Sequence, residues 1–153
     1  MPNDDDNLQL SGYTIYEHKN FKHQLEHLAE KIEAWNKAGK TGSSPDAKLL
    51  KRILEEIENI AYNPDNPEYR LGDTLGQEHK HWRRAKFMGR YRLFFRYDSS
   101  SKIIILAWVN DSETKRTFGS KKDAYAVFKK MLGKGNPPSE WEDLLKATIK
   151  DNG

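Results

Sequence analysis

The chain has 153 residues, 36% of them hydrophobic and 32% charged, with a net charge of +3 and no cysteine. That is the size of one ordinary domain, and it excludes disulfides, thiolate catalysis, cysteine-held zinc and iron–sulfur clusters. No apolar run approaches the roughly eighteen residues needed to cross a bilayer, so no membrane partner is expected.

Residues 1–12 read as an acidic, flexible leader with neither the basic start nor the apolar stretch of a secretion signal. Without a signal or cysteines, a cytoplasmic location is expected. A single domain over 13–149 follows, then a tail over 150–153. Tyr13-Thr14-Ile15-Tyr16 is a short strand, β-branched and aromatic. Phe21, Leu25, Leu28, Ile32 and Trp35 form one helical stripe that Gly39 stops. Ser44 caps and Pro45 opens a second helix, which ends at Asn63-Pro64. A loop with Pro64, Pro67, Gly72 and Gly76 leads to three strands: Trp82 to Met88, Arg92 to Tyr97, and Ile103 to Val109. Ile103-Ile104-Ile105-Leu106 is apolar on both faces, which predicts a central strand. Asp123 to Leu132 is a helix. Ser139-Glu140-Trp141-Glu142 is a capping box for a last one. The expected order is βααβββαα, an α+β domain with its helices on one side of an antiparallel sheet.

Charge is distributed unevenly along this order. Residues 1–78 carry 9 Lys/Arg against 15 Asp/Glu, whereas residues 79–135 carry 15 against 4. A basic block of that kind is the footprint of a polyanion binder. In the hairpin at its centre, a three-residue loop Gly89-Arg90-Tyr91 would pair Lys86 with Phe94 and Arg84 with Arg96. A two-residue loop would set charges against core residues. One face then presents Arg84, Lys86, Arg92 and Arg96 around Phe94 and Trp82. Clustered like charges destabilise a sheet, so a phosphate chain is the expected counter-charge, with Trp82 and Phe94 as stacking surfaces for bases. The competing expectation is that helix carboxylates neutralise the cluster.

Other motifs carry less. Gly39-Lys40-Thr41 lacks the glycine of a phosphate-binding loop at Ala34 and follows a helix. His23 and His27 are four apart but without a carboxylate in metalloprotease spacing, so no metal is expected there. His79 and His81 precede the basic strand and could serve as acid or base.

The runs Trp82-Arg83-Arg84-Ala85-Lys86-Phe87, Gly89-Arg90-Tyr91-Arg92-Leu93-Phe94-Phe95-Arg96-Tyr97 and Ile103 to Asp111 resemble the YhaV toxins. So do Arg116-Thr117-Phe118-Gly119 and Asp123 to Phe128. The resemblance spans about Gly12 to Trp141. It implies a RelE-like fold of the RelE/ParE superfamily and a type II toxin that cleaves messenger RNA, on the ribosome. It also implies a cognate PrlF-type antitoxin, through which alone the toxin reaches operator DNA. The catalytic residues it implies are Arg84, Lys86, Arg92, Arg116 and Tyr125, the last of which could equally be core. Trp82, Arg83, Arg90, Phe94 and Arg96 are the accompanying RNA-binding candidates.

The chemistry these residue types suit is attack by the ribose 2′-hydroxyl on its own phosphate, with arginines holding the added charge and no cofactor. The base would be Lys86 or His81. Two rivals share the features: a toxin of the same fold that poisons a topoisomerase, and a non-catalytic nucleic-acid-binding module.

Overall fold

The computed structural model describes residues 8–110 and 123–152. Strands β1 (Leu8–Leu10), β2 (Tyr13–Glu17), β3 (Arg83–Phe87), β4 (Tyr91–Asp98) and β5 (Ile103–Val109) form one sheet in the order β1-β2-β5-β4-β3. Among the described residues four α-helices accompany it: α1 (Lys19–Lys37), α2 (Pro45–Tyr62), α3 (Ala124–Gly133) and α4 (Trp141–Asn152). Neighbouring strands run antiparallel except β2 and β5, which are parallel, with Ile15 opposite Ile104. The α+β class stands, but the order gains a strand at its start. Leu8–Leu10 pairs with β2 inside the stretch expected to be leader. Three residues with one apolar pair are too short a pattern to read as a strand. Among the described residues no helix is long and apolar enough to cross a membrane.

The sheet is covered on both sides, which corrects the expectation of helices on one side. On one face α1 and α2 bury Phe21, Ile53, Ile57 and Ile60 against Leu93, Phe95, Ile104 and Leu106. On the other, α3 and α4 bury Phe128, Leu132 and Leu144 against Trp82, Phe94, Ile105 and Ala107. The double apolar pattern of β5 therefore reflects two cores, one per face. The helical starts follow from local chemistry. Ser44 accepts the Ala47 N–H at 2.9 Å and Asp123 accepts the Tyr125 N–H at 2.9 Å, each satisfying a helix-end donor. Ser139, expected to cap α4, instead contacts His79 Nδ1 (2.7 Å) and Trp82 Nε1 (3.2 Å) through its hydroxyl.

The hairpin keeps its three-residue loop and its faces, but the register moves by two. The loop is Met88-Gly89-Arg90, so Lys86 faces Arg92, Arg84 faces Phe94 and Arg83 faces Phe95. Met88 and Gly89 both adopt positive φ (48° and 78°), a tight left-handed turn that brings Phe87 against Tyr91. A shift of two preserves side-chain parity, so the hydrophobic pattern could not distinguish the two registers.

The second core centres on Phe128, stacked on Phe94 at 4.3 Å between centroids and edge-on to Trp82 at 5.0 Å. Phe128→Ala should cost about 3–5 kcal/mol in denaturant unfolding, and intrinsic tryptophan emission should report loosening around Trp82 and Trp108 before global unfolding.

Candidate active site

Strand β3 alternates Ala85 and Phe87, facing α1 and α2, with Arg84 and Lys86 on the opposite face. Strand β4 adds Arg92 beside Phe94 on that same side. Helix α3 packs over Phe94, and its Tyr125 ring stands edge-on to Phe94 at 5.8 Å. Its hydroxyl is thereby placed between the two arginines. Arg84 Nε donates to the Tyr125 oxygen at 2.9 Å and Arg92 Nε donates to it at 3.1 Å. The Arg92 guanidinium also lies 6.0 Å from the Tyr125 ring centroid.

Backbone carbonyls hold each arginine further. Arg84 Nη1 donates to the carbonyls of Glu68 (3.1 Å) and Arg70 (2.9 Å), in the turn that packs on β3. Arg92 Nη1 donates to those of Gly89 and Tyr91, both at 3.0 Å. No hydrogen bond to the Nη2 of either is found among the described residues. Among the described residues no carboxylate pairs with either arginine. The helix carboxylates pair instead with Arg52, Lys31 and Lys37 on α1 and α2, so helix-pairing of Arg84, Lys86 and Arg92 is not what is seen.

The remaining expected residues divide. Lys86 is exposed and directly across from Arg92, so it joins the cluster. Arg90 is exposed in the turn. Arg116 lies outside the described residues. Trp82 and Phe94 are wholly buried beneath α3 and α4 and offer no face for a base, a correction that follows from the second helical layer. Arg96 is taken up structurally: its guanidinium donates to the Ser139 carbonyl and lies between Trp82 (5.9 Å) and Trp141 (5.7 Å). Burial lowers the Arg96 pKa below the usual arginine range, Glu140 opposing and Arg83 adding to it. Arg83 projects from the other face and sits 5.9 Å from the Tyr97 ring centroid, away from the cluster. Its Nη1 donates to the carbonyls of Lys80 and Trp82. His79 is mostly buried against Ser139, whereas His81 is exposed on the loop before β3. Among the described residues no three His, Asp or Glu side chains converge on a metal position.

One residue escaped the sequence reading. Asn110, just past β5, is 1% exposed, accepts the Arg92 N–H at 2.6 Å and donates to the Arg90 carbonyl at 3.0 Å. It ties the last residue of the turn to the start of β4, where Arg92 sits. It falls within the Ile103–Asp111 run, but its residue type and spacing assign it no role. Asn110→Ala leaves a buried N–H and carbonyl unpaired and should cost about 1–3 kcal/mol of stability. Hydrogen exchange at Arg92 should accelerate more than at Leu93.

Residues 15–149 match a family described as toxins with endonuclease activity, of toxin–antitoxin systems. The chain is 42% identical over 147 residues to Toxin YhaV of Escherichia coli O6:H1, and 41% identical over 147 residues to Ribonuclease toxin YhaV of Escherichia coli K12. Each alignment covers 92% of this chain and 94% of the relative. No solved structure matches it.

Proposed function

Since the chain belongs to the YhaV family of toxin–antitoxin endonucleases, we propose that it is a ribonuclease toxin cutting messenger RNA at the Arg84–Tyr125–Arg92 cluster, by attack of a ribose 2′-hydroxyl on the adjacent phosphate. The observation that carries this is the pair of guanidinium donors on one phenolic oxygen at 2.9 and 3.1 Å. A phenol oxygen has two acceptor sites and one proton. With both sites occupied, its O–H is the group left to donate outward.

Roles follow from that inventory. The Nη2 groups of Arg84 and Arg92 bind the non-bridging phosphate oxygens and hold the charge that builds on the phosphorane. Lys86, opposite Arg92 on the neighbouring strand, takes the 2′-hydroxyl proton; it sits on the strand itself, whereas His81 is on the preceding loop. The 2′-oxygen bonds to phosphorus, the bond from phosphorus to the 5′-oxygen breaks, and Tyr125 gives its proton to that leaving oxygen. The products are a 2′,3′-cyclic phosphate and a 5′-hydroxyl. The nucleophile is the substrate's own, so the scheme calls on no metal or cofactor. Arg116 joins the phosphate contacts in this reading.

Membership of a toxin–antitoxin family implies an antitoxin partner. We take it to be of the PrlF type, carrying the operator contact, and take the toxin's work to be cytoplasmic and ribosome-associated. A helical hairpin against a largely antiparallel sheet supports a RelE-like reading of the fold.

Tyr125→Phe keeps the ring against Phe94 but removes the hydroxyl, and with it both the proton and the acceptor that Arg84 and Arg92 share, so cleavage should fall about 10²–10⁴-fold while the fold is retained. Full activity of that variant would remove Tyr125 from the chemistry. Placing 2′-deoxyribose at the cut position should abolish cutting and leave binding intact. Undiminished cutting there would overturn the 2′-hydroxyl mechanism, and intact messages in growth-arrested cells would overturn the ribonuclease reading itself.

A further inference from the structure

Beside the arginine cluster lies a cleft of about 620 Å³ that the catalytic scheme does not use. It is formed by the end of α2, the turn at Pro67–Tyr69 and the edge strand β3, and Lys86 lines it. Glu68 joins the two places: it lines the cleft, while its carbonyl accepts from Arg84 Nη1 at 3.1 Å. A nucleotide chain with one phosphate on Arg84 and Arg92 therefore has a neighbouring base within reach of this cleft.

The lining is polar in a particular way. Tyr62 stands 84% exposed at the end of α2, an aromatic ring with no core role. Such rings are the usual platforms for unstacked bases. Glu56 also lines the cleft but is already bonded to Arg52 Nη2 at 3.0 Å. The Glu68 carboxylate is exposed and makes no ion pair among the described residues, so it offers two acceptors. Asn66 has its Oδ1 occupied by the Glu68 N–H at 3.0 Å, which leaves Nδ2 to donate.

We propose that this cleft is the specificity subsite of the toxin and receives a guanine base adjoining the cut phosphate, stacked on Tyr62 and read by Glu68 and Asn66. Guanine presents two adjacent donors, N1–H and N2–H, to one carboxylate and an O6 acceptor to an amide. Adenine and cytosine each set a ring acceptor beside their single amino donor, and a carboxylate repels that acceptor. Uracil has one donor between two acceptors. The assignment of this cleft to the base flanking the cut rests on the cleavage reading above, but base recognition can be measured without cleavage.

The experiment uses the full chain and short RNAs made uncleavable by a 2′-deoxyribose at the cut, carrying guanine, inosine, adenine or cytosine beside it. Alongside, cut sites are mapped on messages from cells expressing wild type, Glu68→Gln or Tyr62→Ala. Guanine should bind best, and inosine, which lacks the amino group, roughly tenfold worse, the order of discrimination of one good base contact. Tyr62→Ala should weaken all four RNAs by roughly tenfold, while Glu68→Gln should erase the guanine preference. Arg84→Ala should abolish cutting yet keep that preference. Equal binding of the four RNAs by wild type, or a preference untouched by Glu68→Gln, overturns the subsite even if RNA is cut. A guanine preference without any RNA cutting overturns the cleavage reading and leaves the base pocket standing.

Discussion

Phe128 lying flat on Phe94 seats the helix that brings Tyr125 to Arg84 and Arg92. Phe94 sits on β4 between Arg92 and Arg96, so any helix that covers the phenylalanine must leave the flanking charges a way out. Long side chains meet this demand by laying their apolar stems along the core and holding their polar heads at its edge. Arg84, Arg92 and Tyr125 do so from three elements and converge on one oxygen. The cluster is therefore a rim, dry on one side and wet on the other. In such a place a fixed charge acts more strongly on a bound phosphate than it would in bulk water.

The choice of partners is what keeps this rim cationic. Arg84 and Arg92 are anchored by carbonyls of Glu68, Arg70, Gly89 and Tyr91, which orient a guanidinium without cancelling its charge. Carboxylates in the same places would have neutralised the site. Several carboxylates are engaged within the helical hairpin, where Arg52 bridges Glu55 and Glu56 of α2. Asn110 performs the same neutral service for the turn, holding Arg92 by its N–H and Arg90 by its carbonyl. The positive charge of the central block is thus positioned by dipoles, and it stays available to a polyanion.

Much of this was legible in the residues and some was not. Side-chain parity along β3 and β4 follows from alternation alone, and it placed Arg84, Lys86 and Arg92 on one face irrespective of register. The same alternation put Trp82 and Phe94 there too, where the absence of a helix over that face would have left them exposed. Two signals pointed to a cover: β5 is apolar on both faces, and α3 has a stripe that needs a surface to bury it. Each is local, and neither says which helix goes where. Asn110 carried no pattern at all, because its role depends on a turn twenty residues earlier in the chain.

The amino-acid sequence by itself determined every described α-helix and every described strand but the first, along with the two-faced central strand, the concentration of cations in one block and their shared face, all consequences of periodicity and composition that act within a few residues. Tertiary structure alone decided which cations came together. Arg96, with the same parity as Arg92, is enclosed by Trp82 and Trp141, and Arg83 is turned to the other face, while Arg84 and Arg92 meet at Tyr125. The physical reason is that burial is set by what packs from afar. A guanidinium four positions along the same strand is an enclosed structural tie or an open charge according to whether a distant helix passes over it or stops short.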